Sequence, residues 1–177
     1  MSRTSNLHKK TTPKTLNIAV LTVSTSKYKE SLMKMKVEDV SGNTIKELVE
    51  QAGHKVIEKK LLPDDLKRIK NFVKQTLGRD AVDAVIATGG TGISKLDVTI
   101  EAVEGLLDKR LPGFGEIFRR ISYDAIGSPA VMTRALAGVW RGKTVFLLPG
   151  SPNAVEIAVK KLILPEIGHI VKHARAM

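Results

Sequence analysis

The sequence predicts an α/β domain of three layers, with helices on both faces of a mostly parallel sheet. Uninterrupted apolar runs of strand length, such as LNIAVLTV and TVFLLPG, recur along the chain, as strands covered on both faces require. Between them lie segments with apolar residues at helical spacing, and strand–helix alternation builds parallel sheets. The turns after three of the strands, at Ser24-Thr25-Ser26, Thr88 to Gly92 and Pro149 to Asn153, are rich in Gly, Ser and Thr. Ligands of such sheets sit outside the carboxyl ends of the strands, so these turns are expected to share one crevice.

Leu16 to Val23 is the first strand, and Ser24 to Val40 reads as a long polar loop. In GNTIKELVEQAG, Ile45, Leu48, Val49 and Ala52 mark one helix face, and Gly53 supplies the stop. HKVIEKKLL is a second strand. Pro63-Asp64-Asp65 opens a helix buried through Leu66, Ile69, Phe72, Val73 and Leu77. DAVIAT is a third strand, TIEAVEGLL and GEIFRRISYDAIG are helices, and a short helix is expected over Pro129 to Gly138. Arg141-Gly142-Lys143 turns into the strand TVFLLPG. Ser151-Pro152 then gives an N-cap and an N1 proline to a helix through Leu164, and Pro165 starts the last helix.

The 177 residues suit one domain. Residues 1–15 read as a flexible basic tail and 16–177 as a single domain. No window approaches the ~20 apolar residues of a membrane span, and MSRTSNLHKKTTPKT has no apolar signal core. There is no cysteine, which removes disulfides and thiolate catalysis and sets a cytoplasmic location as the default. Net charge is +11, and the chain up to Glu38 carries +6 of it. Such an excess attracts nucleic acid, anionic small molecules, or only water. Aromatics at 4% are few for base stacking, which counts against nucleic acid.

Thr88-Gly89-Gly90-Thr91-Gly92 is neither a Walker loop nor GxGxxG. Its glycines let successive backbone N–H groups point into one concavity and let an oxyanion approach the main chain. A tight structural turn would use the same glycines. LPGSPN ends at a helix N-terminus suited to phosphate or carboxylate, although a plain cap explains Ser151-Pro152 equally well. Asp39 and Asp97 each precede a helix and fit N-caps. If both instead face bound phosphates, a divalent cation must lie between, and magnesium typically takes one or two carboxylates plus phosphates. Lys95 would balance charge, and Lys27, Lys29, Lys34 and Lys36 would close over the ligands or stay solvated. His169 and His173, spaced i,i+4, read as helix surface. Met33 and Met35 suggest contact with a second subunit.

With these residues in order the chain resembles the molybdenum cofactor biosynthesis protein B family, the MoaB/MogA molybdopterin adenylyltransferases. VSTS, EDVSG, TGGTG followed by DVT, PGFGEIFR, Thr133-Arg134-Ala135 with AGV, and LPGSPNA succeed one another from about Leu16 to about Pro165. The resemblance implies a molybdopterin-binding-domain-like fold, assembled as a homotrimer or homohexamer. It implies molybdopterin and ATP as substrates, Mg²⁺ as cofactor, transfer of AMP to the terminal phosphate of the pterin with pyrophosphate released, and a downstream metal-insertion protein as partner. Asp39 and Asp97 map onto the catalytic, metal-binding aspartates. The implied phosphate-binding set is Ser24, Thr25, Ser41, Gly42, Thr88, Gly89, Gly90, Thr91, Gly92, Lys95, Glu116, Arg134, Pro149, Gly150, Ser151 and Pro152. The chain departs from the family at Leu96, where many members carry arginine, and at Ile100, where they carry proline. A non-catalytic molybdopterin carrier and a basic nucleic-acid-binding module are the alternatives.

Overall fold

The computed structural model describes residues 13–176, so the expected tail falls mostly outside them. Its sheet has six strands in the order β2-β1-β3-β6-β5-β4. They are β1 (Asn17–Val23), β2 (Lys55–Leu62), β3 (Ala84–Thr88), β4 (Lys109–Arg110), β5 (Leu136–Trp140) and β6 (Lys143–Leu148). The pairings of β1 with β2 and β3, and of β3 with β6, are parallel; β5 pairs antiparallel with β6 and with β4. Seven helices accompany the strands: α1 (Thr25–Leu32), α2 (Val40–Gln51), α3 (Leu66–Leu77), α4 (Thr99–Glu104), α5 (Pro112–Ile126), α6 (Pro152–Ala158) and α7 (Leu164–Arg175).

The period-2 alternation of β1, β3 and β6 divides their side chains between two cores. Ile18, Val20, Ile86, Phe146 and Leu148 pack with Ile45 and Val49 of α2 and with Val155, Ile167 and Val171 of α6 and α7. Ala19, Leu21, Val85 and Leu147 pack on the other face with Ile69, Val73 and Leu77 of α3 and Val103 of α4. This is the three-layer αβα arrangement. The helix starts follow the expected chemistry: Asp39 accepts from Gly42 N, Asp65 from Arg68 N and Ser151 from Ala154 N. Gly53, at φ 83°, ends the turn after α2.

Three elements differ from expectation. The polar segment after β1 begins with helix α1, which buries none of its residues and so carries no apolar stripe to reveal it. The short helix expected over Pro129–Gly138 is instead a 3₁₀ turn, Ser128–Met132, followed by strand β5. Gly138 explains the switch: a Cβ there would sit 2.7 Å from the Lys109 carbonyl oxygen, so glycine admits the neighbouring strand β4. Arg141 (φ 49°) and Gly142 (φ 75°) then form the two-residue turn that folds β5 back on β6. Helices α6 and α7 run on through a π-helical segment, Val159–Ile163, so Pro165 falls in the first turn of α7 without a break in the chain's path.

From β1 the chain crosses to β2 on one side and from β2 to β3 on the other. The strand ends at Val23 and Thr88 therefore flank a topological switch point, where open α/β sheets hold ligands.

Candidate functional site

A cleft of about 580 Å³ opens at that switch point. Its floor is the laced ends of three strands. Gly89 N donates to Leu148 O (3.0 Å), and Thr99 Oγ1 donates to Gly89 O (2.8 Å). Thr88 Oγ1 donates to Pro149 O (2.7 Å), and Ser41 Oγ to Gly150 O (2.7 Å). Gly89 (φ 93°) and Gly90 (φ 62°) hold the turn in conformations that side chains resist. A Cβ on Gly90 would lie 2.7 Å from Asp64 Oδ1 and clash with Thr99 Oγ1. The bare backbone is thus a packing requirement as well as a means of close approach to a ligand.

Asp39 and Asp97 both line this cleft. Asp39 is nearly buried, and its carboxylate accepts from Gly42 N (3.0 Å), Thr22 Oγ1 (2.9 and 3.1 Å) and Lys59 Nζ (3.0 Å). Burial raises its pKa, but Lys59, the Gly42 amide and Thr22 outweigh that and hold it below the usual carboxylate value. Asp97 accepts from Ser94 N (2.9 Å). Its partial burial is likewise outweighed, by Ser94, the Gly92 amide and the charge of Arg134, so it too is held ionised. Asp97 does not cap α4, whose N-cap position is Val98; its carboxylate folds back on the glycine loop instead. Arg134 donates through Nε to Thr91 O (2.9 Å) and through both terminal nitrogens to Glu101 (2.7 and 3.3 Å). The guanidinium thereby pins the glycine loop to α4. Hydrogen bonds from Arg134 hold the Glu101 carboxyl below its usual range.

Ser24, Thr25, Ser41, Thr88 to Gly92, Arg134, Pro149 and Gly150 line the same cleft as the two aspartates. Gly42 stands just behind Asp39, where no Cβ would fit. Gly42 and four other expected residues lie outside the lining. Ser151 caps α6 and Pro152 opens it, Lys95 is exposed on the loop, and Glu116 borders a separate groove with Arg110 and Arg119. Thr25 is engaged through N and Oγ1 with Asp64 Oδ2 (3.0 and 2.7 Å). Lys27 borders the cleft from α1, its ammonium on the Glu38 carbonyl. Sequence reasoning missed Thr22, Lys59, Asp64, Thr133 and Glu101. Apart from Thr133, adjacent to the expected Arg134, they meet the expected residues only through the fold.

Among the described residues no group of three or more His, Cys, Asp or Glu side chains forms a metal cage. The oxygen-only carboxylates at the cleft suit a hard cation that takes its remaining ligands from phosphates and water. No helix among these residues is long and apolar enough to cross a membrane.

Fold and cleft together define a doubly wound α/β domain whose glycine loop and ionised carboxylates meet at the switch point. Residues 19–169 match the family model described as a probable molybdopterin binding domain, and the chain belongs to that family. It is 46% identical over 164 residues to the molybdenum cofactor biosynthesis protein B of Bacillus cereus, covering 92% of this chain and 93% of the relative. It is 42% identical over 172 residues to the molybdopterin adenylyltransferase of Pyrococcus furiosus, covering 95% and 96%. A crystal structure of a molybdenum cofactor biosynthesis protein B superposes with a TM-score of 0.84 at 43% identity, over 93% of this chain and 99% of that one.

Proposed function

We propose that this chain acts in molybdenum cofactor biosynthesis as a molybdopterin adenylyltransferase, using ATP and Mg²⁺. The observation that carries the reading is that Asp39, Asp97 and the two glycine-bearing turns line one cleft. The relatives named for that activity match over nearly the whole of both chains.

In the proposed reaction an oxygen of the pterin's terminal phosphate attacks the α-phosphorus of ATP. The bond from that phosphorus to pyrophosphate breaks, and adenylylated molybdopterin remains. The nucleophile is already anionic, so no histidine or serine base is required. The obstacle is the meeting of two polyanions. Backbone N–H groups of the glycine turn after β3 bind phosphate oxygens, and Arg134 holds the glycine loop against α4. Asp97, anchored at one oxygen by Ser94 N, would hold the metal, and Asp39 would share it or orient the attacking phosphate. Magnesium, when bound, neutralises charge on the transferring group.

We further propose that copies of the chain associate as a trimer or hexamer in the cytoplasm. Ile117, Tyr123 and Ile126 of α5 and Val131 and Met132 in the turn after it are each more than half exposed, and exposed apolar side chains on neighbouring elements are candidates for burial against a second copy. Light scattering of the purified protein tests this, and a monomer at micromolar concentration refutes it.

Incubating the protein with molybdopterin, ATP and Mg²⁺ and measuring pyrophosphate tests the activity. Stoichiometric adenylylated product supports it. Saturable pterin binding without product overturns it in favour of a carrier. Leu96, 73% exposed where many members carry arginine, makes that comparison worth running.

A further inference from the structure

Lys59 lies on β2, opposite Val20 in the register of the sheet, and outside the cleft lining. Its ammonium nevertheless reaches Asp39 Oδ2 at 3.0 Å and also contacts Asn43 Oδ1 in the first turn of α2. The Asp39 side chain is only 10% exposed, so its carboxylate is shielded from competing water, and Lys59 reaches it from the exposed edge strand β2.

The donors around Asp39 divide unequally between its two oxygens. Oδ1 receives the Gly42 amide at 3.0 Å. Thr22 Oγ1 lies within reach of both oxygens, at 3.1 and 2.9 Å, but its one hydroxyl proton serves one oxygen at a time. The remaining donor, and among the described residues the only one given wholly to Oδ2, is Lys59. The χ2 torsion of an aspartate is broad and roughly two-fold, so rotamer preference does not fix the plane of this carboxylate. Two dedicated donors on different oxygens do.

We infer that Lys59 is a positioning residue for adenylyl transfer: it sets the plane of the Asp39 carboxylate from behind while Asp39 faces the ligands. This rests on the reading of Asp39 as a functional carboxylate. Lys59 joins three pieces of the site that the chain reaches separately, β2, the N-cap of α2 and, through the shared carboxylate, Thr22 at the end of β1. Its ammonium belongs to the site although it touches no substrate. Second-layer partners of this kind typically carry about 10- to 100-fold of activity.

The test uses the full chain with molybdopterin, ATP and Mg²⁺, comparing Lys59→Met, Lys59→Arg, Asp39→Asn and the double variant Asp39→Asn/Lys59→Met. Pyrophosphate release gives kcat and KM, calorimetry gives molybdopterin binding, and thermal unfolding reports the fold. Lys59→Met is expected to lower kcat about 10- to 100-fold, with KM and pterin affinity within about twofold of wild type. Lys59→Arg restores the larger part. In the Asp39→Asn background Lys59→Met changes nothing further, because the group it orients is gone.

Full turnover by Lys59→Met beside an impaired Asp39→Asn overturns the role of Lys59 and leaves the site reading standing. Equal losses from Lys59→Met in both backgrounds also overturn it, since Lys59 would then act independently of Asp39. A Lys59→Met variant with lowered melting temperature, raised KM and unchanged kcat marks a structural brace and overturns it too. Full turnover by Asp39→Asn removes the site reading itself, and the positioning role with it.

Discussion

Gly89→Ala probes the join between fold and site most sharply. Gly89 holds φ 93°, and an added Cβ would overlap the Val23 carbonyl oxygen and stand 3.2 Å from its carbon. That oxygen belongs to the end of the central strand β1 and cannot swing aside as a side chain would. The left-handed backbone costs about 1–2 kcal/mol for a residue with a Cβ. Relief of the overlap pushes the β1 and β3 ends apart and strains the bonds from Gly89 N to Leu148 O and from Thr99 Oγ1 to Gly89 O, each worth about 1 kcal/mol. The expected loss is about 3–4 kcal/mol, or about 6–16 °C in melting temperature for a domain of this size. Turnover falls at least about 100-fold, because the phosphate-facing amides shift with the loop. Gly113→Ala, in the first turn of α5 with nothing near its would-be Cβ, is the matched control and is neutral or stabilising by up to about 1 kcal/mol. Scanning calorimetry and pyrophosphate release measure both. A Gly89→Ala protein with wild-type melting temperature and turnover would refute the claim that this glycine is required by close approach of two backbones.

The other predictions are simpler to read. Asp39, with its folded pKa held below 3.8, contributes stability that is present above that value and lost as pH falls through the folded pKa. The stability deficit of Asp39→Asn in denaturant titrations therefore narrows below about pH 4, and a pH-independent deficit contradicts the assignment. Glu101→Ala frees Arg134 from its fork and loosens the glycine loop, lowering turnover about tenfold with little change in melting temperature, since the pair is half exposed. Unchanged kinetics would show that Arg134 needs no anchor. Asp64→Ala removes the acceptor for Thr25 N and Oγ1 and costs about 1–2 kcal/mol in chemical denaturation. No loss would place the end of β1 under other control.

The central strands were legible because burial on both faces leaves a plain apolar run, as in Ile18–Val23 and Val145–Leu148. Asp39 and Ser151 were legible as caps from local spacing alone. Strand β5 was not, because Ala137 and Gly138 carry no strand preference and take their conformation from β6 and β4. Helix α1 was hidden for the opposite reason, having no apolar face to repeat. At the site, the turns announced themselves through glycine, whereas the side chains that hold them did not. Lys59 is 20 residues from Asp39 and Asp64 is 39 from Thr25, and only the strand order brings them together. Lys95 and Glu116 lie outside the cleft lining, since motif position alone does not aim a side chain into it.

The most direct test of the account is Asp97→Asn, assayed in parallel for molybdopterin binding and for pyrophosphate release with ATP and Mg²⁺. Retained pterin affinity with turnover reduced to background is the predicted result. An Asp97→Asn protein that adenylylates molybdopterin at the wild-type rate would contradict it.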